Sequence, residues 1–284
     1  MAVWTAEREI SSEAAAGFIA TQFPALAPVT AELMGAGWDN SAFLVSGQYV
    51  FRFPRRQIAV PLLEIEAAVL PEIATKLPLP IPAPQFVGMA DGWPFAGYPL
   101  LLGQTLCTMR LTDKERRALA LPLAAFLRTL HALPVPEATP PDTIRRLDLE
   151  SRLPQGRERL AKVGCDPELL TQDLKGWTPR TDTLVHGDLY VRHLLVGADR
   201  KLSGVIDWGD LHRGDPAIDL SIAFIVLPED MHAAFRATYG PISDDTWTVA
   251  RLRALWHTAT VRLYAQEIGD TDLLHETEWT LARA

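Results

Sequence analysis

Apolar positions recur at two different periods along this chain, and the elements change where the period changes. Ser11-Ser12-Glu13 opens a helical segment that runs to Phe23, where Pro24 stops it. Two short β-type runs follow, Ala42 to Val45 and Tyr49 to Phe53, with Ser46-Gly47-Gln48 between them as a hairpin turn. A helix is predicted from about Val60 to Thr75. Beyond it Pro78, Pro80, Pro82 and Pro84 force an extended path, because proline lacks an N–H and pushes the preceding residue out of the helical region. Gly97 to Leu102 reads as one more buried strand, and Gly103 marks a break.

Further on, Thr112-Asp113-Lys114-Glu115 has the spacing of a capping box, and Leu119, Leu123, Phe126, Leu127 and Leu130 recur at helical intervals. Pro122 inside that run predicts a kink or a later start. Charged residues alternate from Ile144 to Val163, which predicts an exposed helix interrupted near Pro154-Gln155-Gly156. Short strands are expected at Thr183 to Val185, Leu194 to Val196 and Leu202 to Ile206, with helices from Asp215 to the end. Small antiparallel sheet first, helices later: the fold class is α+β, divided at the Gly103 break into an N-terminal part, 1–103, and a C-terminal part, 104–284.

At 284 residues the chain can bury a substantial core. Two cysteines, Cys107 and Cys165, support neither a disulfide framework nor a zinc site. The first ten residues lack a basic region followed by an apolar run, and no window approaches the roughly 18 apolar residues of a membrane span. A soluble, cytoplasmic protein is expected. The net charge of −8 opposes binding to a nucleic-acid phosphate backbone and suits a cationic small molecule.

Chemistry concentrates in Val185-His186-Gly187-Asp188-Leu189-Tyr190-Val191-Arg192-His193, followed by Gly204-Val205-Ile206-Asp207-Trp208. Phosphoryl transfer needs positioned charge: a carboxylate facing the acceptor hydroxyl, and ligands that hold Mg²⁺ against nucleotide phosphates. Asp188, in a glycine-containing loop after a strand, is the candidate base. His193 could coordinate Mg²⁺ or hydrogen-bond a phosphate as a neutral imidazole, and Asp207 ends an apolar run where it would bind metal through oxygen.

With Gly214-Asp215-Pro216-Ala217-Ile218-Asp219, these motifs resemble the aminoglycoside phosphotransferase family, and His193 in place of the commoner Asn resembles its aminoglycoside 2″ and macrolide 2′ branches. The resemblance runs from about Gly35 to Asp219 and implies a bilobal, protein-kinase-like fold. It implies that Asp188 is the catalytic aspartate, that His193 and Asp207 bind the metal, and that Asp219 supports the catalytic loop. Arg52 stands where the family has a phosphate-holding lysine, a departure because a guanidinium is a planar fork and an ammonium a point charge. Glu66 matches the acid that pairs with this cation. Gly35 to Ser41 resembles the nucleotide-positioning loop, although the P-loop spacing is absent. Tyr98 to Leu102 resembles the hinge, which would bind the base near Pro99 and Leu101, and the bulk of Tyr98 implies GTP use equal to or better than ATP.

The acceptor is read from charge. From Glu229 onward nine acidic residues, with Glu229, Asp230 and Glu267 as candidate contacts, face five arginines. That surplus suits a polyamine sugar. An aminoglycoside kinase conferring antibiotic resistance is the leading expectation. A macrolide or small-metabolite kinase is the alternative, and a nucleotide-binding protein without transfer activity ranks below both.

Overall fold

The computed structural model describes residues 6–37, 39–172, 174 and 176–283. Residues 1–5, read above for a leader, and Trp38, within the glycine-rich turn, lie outside the described residues. The chain divides into two compact units: Met1–Lys76, Pro80–Leu101 and Asp207–Asp210 form the first, and Leu77–Leu79, Leu102–Ile206 and Leu211–Ala284 the second.

The first unit begins with α1 (Ser12–Gln22), capped by the Ser11 hydroxyl, which accepts the Ala14 amide. Then come β1 (Ala31–Ala36), β2 (Asn40–Val45), β3 (Tyr49–Pro54), α2 (Ala59–Ile73), β4 (Phe86–Ala90) and β5 (Trp93–Pro99). The five strands form an antiparallel sheet in the order β1-β2-β3-β5-β4. Ala15 and Ile19 of α1 join Phe43, Phe51, Phe53 and Phe95 in one core, where the Phe53 and Phe95 rings stack 4.6 Å apart. Strand alternation sends Phe51 and Phe53 into that core and Arg52 to the opposite face, where α2 lies. Gly97 is required there, since a Cβ would stand 2.4 Å from the Phe51 ring.

The second unit comprises β6 (Gln104–Thr105), α3 (Asp113–Ala132), α4 (Leu149–Lys162), β7 (Thr183–Val185), β8 (Leu194–Val196), β9 (Leu202–Val205) and β10 (His212–Gly214). It continues with α5 (Ala217–Leu220), α6 (Ile222–Val226), α7 (His232–Tyr239), α8 (Asp244–Ile268) and α9 (Thr271–Leu281). Two small sheets carry the loops of interest: β6-β8-β9, and β7 paired with β10. No described helix is long and apolar enough to cross a membrane.

Several expected boundaries shift. The strand expected at Gly97 to Leu102 is β5, which starts at Trp93 and stops at Pro99; the Leu100 amide still reaches the Gln48 carbonyl, but the Gln48 amide closes the hairpin on the Val45 carbonyl and returns no bond to β5. β1 and β4, the two sheet edges, were not expected: Leu33, Met34, Val87 and Met89 are exposed there, so neither strand has a clean alternating pattern. The Thr112/Glu115 capping box is present, but α3 runs through Pro122 without a later start. Both Pro122 and Ala118, whose carbonyl loses its partner, are exposed, so water can replace the missing bond. Likewise α4 starts only at Leu149 and is not interrupted at Pro154-Gln155-Gly156. Gly156 is buried against Trp256 and Leu170, and close packing holds the helix where propensity alone would break it.

One buried ion pair ties α3 to α9. An Arg116 amino group donates to both Glu276 oxygens at 2.7 Å, and the guanidinium lies 4.0 Å from the Trp279 ring centroid. Both side chains are sealed from water, so removing one strands the other. Arg116→Met should lower unfolding free energy by about 3–5 kcal/mol, read as a urea midpoint shift; a loss below about 1 kcal/mol would show that Glu276 finds another partner.

Candidate active site

The loop 186–193 joins β7 to β8 and is fixed by a single carboxylate. Asp219, at the start of the helical tail, accepts the His186 amide at 2.7 Å, the Gly187 amide at 3.0 Å and His131 Nε2 at 3.1 Å. His131 Nδ1 meets the Tyr239 hydroxyl at 2.8 Å. Burial would raise the Asp219 carboxyl, but the His131 hydrogen bond and its companions outweigh it and hold it below the usual range. Gly187 sits at φ +90°, a conformation open to glycine, which lets two successive amides point at one acceptor.

The histidines of the loop are set by their partners. His186 Nε2 donates to the Ile206 carbonyl at 3.0 Å, so its Nδ1 receives the Asp188 amide at 3.3 Å. His193 Nδ1 faces the Asp188 carbonyl at 2.6 Å; because a carbonyl only accepts, the proton of this bond is on Nδ1. Tyr190 packs edge-on against both His193, at 4.4 Å, and His257, at 5.4 Å.

Asp188 Oδ1 lies 3.3 Å from His257 Nε2 and 3.9 Å from Arg253, and its Oδ2 lies 3.9 Å from His193 Nδ1. Burial would raise this carboxyl, but the bond and charge of His257, followed by His193 and Arg253, hold it well below the ordinary carboxylate range. His257 is itself pushed down by burial and by Arg253. The result is an ionised, oriented carboxylate that remains 31% exposed on an otherwise buried loop.

A second cluster lies in the first unit. One Arg52 amino nitrogen donates to both Glu66 oxygens, at 3.0 and 2.9 Å, and the other stands 3.4 Å from Asp207 Oδ1. Tyr98 donates its hydroxyl to Glu66 at 3.1 Å and is buried. Burial raises the Glu66 carboxyl despite Arg52, while Glu66 and Asp207 raise Arg52 despite its burial, so the cation is permanent. Asp207 adopts a left-handed φ of +62°, a strained setting for a non-glycine residue of the kind that collects at functional sites. Asp207 directly follows Ile206, whose amide donates to the His193 carbonyl. Among the described residues no three His, Cys, Asp or Glu side chains form a metal cage.

Other expected positions fall as follows. Ser41 is buried in β2, and the Gly37 amide donates to the Asn40 carbonyl at 2.9 Å. Asp39, beside that turn, is raised by burial and pairs with Arg56. Pro99 ends β5 opposite Tyr49, and Leu101 is half-buried at the end of the first unit. Asp230 is tied to Arg117 at 2.9 Å, while Glu229 and Glu267 are exposed; the groups that face Asp188 are Arg253, His257 and His193. Arg253 and His257 went unread, although an Arg and a His four apart within the apolar stretch of α8 form one turn of a single helix face and are a visible signal.

Residues 30–255 match the model of the phosphotransferase enzyme family. The chain belongs to that family. Its fold class is α+β and protein-kinase-like, as in solved phosphotransferases. One of these, a GDP and kanamycin complex of an aminoglycoside 2″-phosphotransferase, is 28% identical with a TM-score of 0.68, covering 94% of this chain and 96% of that one. A macrolide 2′-phosphotransferase type I shares the fold at 23% identity and a TM-score of 0.64, covering 99% of each chain. Viomycin phosphotransferase of Streptomyces vinaceus is 34% identical over 99 residues, 33% of this chain and 34% of the relative, so that match spans about a third of the relative's length.

Because Asp219 gathers three donors, Asp219→Asn would turn an NH₂ toward an N–H and cost about 3 kcal/mol. Its depressed carboxyl stabilises the fold above its ordinary value of 3.8, and this is lost as pH falls through the lower folded value. The stability gap between wild type and variant should therefore be full at pH 7 and shrink in acid below 3.8, measured by urea unfolding at a series of pH values.

Proposed function

We propose that this phosphotransferase moves the γ-phosphoryl of GTP or ATP, with Mg²⁺, to a hydroxyl of an aminoglycoside antibiotic, and so confers resistance in the cytoplasm. Residues 1–103 would bind the nucleotide and 104–284 would carry the catalytic loop and the acceptor pocket. The observation that carries the reading is Asp188: a carboxylate kept ionised and aimed by His257, on a loop locked by Asp219.

A carboxylate this weakly basic is a poor proton acceptor at the start of the reaction. Asp188 therefore acts first by accepting a hydrogen bond from the acceptor hydroxyl and turning a lone pair of that oxygen toward phosphorus. It takes the proton once the new P–O bond has made the hydroxyl acidic, which suits a loose transition state. His193 and Asp207 would hold Mg²⁺, which supplies charge neutralisation of the phosphate oxygens. Arg52, fixed by Glu66, would hold the nucleotide phosphates. Tyr98, bulky and pinned by Glu66, supports GTP at least as well as ATP.

The aminoglycoside acceptor is supported by the net charge of −8 and by the kanamycin-bound relative. A second reading, a neutral acceptor such as a macrolide sugar or small metabolite, is favoured by the Arg253 cation beside Asp188, where an ammonium would be repelled.

Incubation with GTP, ATP and a panel of aminoglycosides, macrolides and sugars, with phosphorylated product read by mass, should give an aminoglycoside phosphate; product from neutral acceptors alone would select the second reading. Turnover in Asp188→Ala should fall roughly 10²–10⁴-fold with nucleotide affinity unchanged, and an unaltered rate would remove Asp188 from the role. Raising salt should weaken aminoglycoside binding strongly and macrolide binding little, since screening acts on charge pairs.

A further inference from the structure

Arginines crowd the part of the second unit around α4 and α8, and the neighbours of Arg253 each make at least one hydrogen bond. Arg146 is paired with Asp142 at 2.7 Å, and Arg152 donates to the Ile144 carbonyl at 2.7 Å. Arg157 and Arg251 reach the carbonyls of Leu170 and Leu169, and Arg159 reaches the Thr260 hydroxyl. Arg253 differs. Its guanidinium makes no hydrogen bond to any described residue, and its one ion pair, to Asp188 Oδ1, is 3.9 Å long. Its side chain is only 9% exposed, yet none of its nitrogens is sealed.

A largely buried guanidinium that makes no hydrogen bond to a described residue but keeps its nitrogens accessible has donors left for a ligand. Burial lowers its pKa to about 10, against the pull of Asp188, so it is still a full cation at neutral pH. The donor set is a planar fork that matches two oxygens of a phosphate or carboxylate. Its place narrows the choice. An acceptor hydroxyl bonded to Asp188 stands about 3 Å from that carboxylate, and the phosphoryl group arriving on the same oxygen brings its anionic oxygens within reach of Arg253.

Taking Asp188 as the acceptor-facing carboxylate, on which the argument rests, we propose that Arg253 is an oxyanion-binding residue that holds phosphoryl oxygens beside Asp188. Asp188 offsets the guanidinium while the site is empty of phosphate and repels the phosphate when it enters. The binding is therefore tuned to be weak, which favours release of the phosphorylated product. An anionic substituent on the acceptor itself would present the same oxygens and is the competing source.

The probe is inorganic phosphate, titrated against the intact protein by ³¹P NMR, with acetate as a carboxylate control. Wild type should bind phosphate, Arg253→Gln should bind it at least about tenfold more weakly, and Arg253→Lys should retain part of the affinity. Asp188→Asn should bind phosphate more tightly than wild type, because a like charge is removed. Equal phosphate affinity in wild type and Arg253→Gln, or weaker binding in Asp188→Asn, would overturn the assignment. Acetate bound in preference to phosphate would also overturn it and point to an anionic acceptor. If Arg253→Gln does not melt cooperatively, the Arg253→Lys and Asp188→Asn arms decide alone. Transfer that persists in Asp188→Asn would remove the base reading and leave the phosphate measurement standing. Transfer abolished there, with phosphate binding indifferent to Arg253, would keep the base and remove the oxyanion site.

Discussion

Two backbone amides and an imidazole converge on the Asp219 carboxylate, and the geometry of the catalytic loop follows from that convergence. A loop of eight residues between short strands has no ladder to hold it. Here its first two amides end on a charge that cannot move, because the carboxylate is fully buried and His131 and Tyr239 brace it from behind. With His186 and Gly187 fixed, the Asp188 amide meets His186 Nδ1 and its carbonyl meets His193 Nδ1, so both histidines inherit their tautomers from the backbone. One buried acid thus sets the direction of Asp188 and the ring orientation of His193.

The same economy recurs in the first unit with signs reversed. There the fixed group is a cation, Arg52, and the fork that distinguishes arginine from lysine gives one nitrogen to Glu66 and presents the other to Asp207. A lysine ammonium would have to share one nitrogen between the two acids. Tyr98 adds a neutral donor to Glu66, which relieves an acid that burial would otherwise neutralise. The departure from lysine is therefore coherent with its surroundings.

Much of this was legible in the residues, for identifiable reasons. Helix α1 declares itself through its Ser11 cap and Pro24 stop, and α3 through its capping box, because those devices are local. The strands β7, β8 and β9 were readable since each is a short apolar run bounded by turns. Edge strands β1 and β4 were not, because exposed Leu33, Met34, Val87 and Met89 erase the alternation that marks a half-buried strand. Proline and glycine misled in α4, where Gly156 serves as a flat seat for Trp256, a tertiary reason invisible along the chain. Asp188, His193, Asp207, Arg52 and Glu66 were named as candidates by spacing and resemblance. Arg253 and His257 escaped because the acidic surplus of the C-terminal third drew attention to its carboxylates, while the residues that turn toward Asp188 there are an arginine and a histidine.

That inversion bears on how the acceptor is chosen. Net charge acts at long range and is screened within about 8 Å at physiological ionic strength, so it governs what approaches the protein. The groups within 4 Å of Asp188 act at contact and, on the proposed function, would govern what can react. An acidic protein can gather polycations and still refuse an ammonium at the reacting centre. The combination selects for an acceptor whose positive groups, where it has any, lie away from the hydroxyl that is phosphorylated. Specificity would then arise from the distance between charge and hydroxyl in the acceptor, a property that neither the acidic surplus nor Arg253 could impose alone.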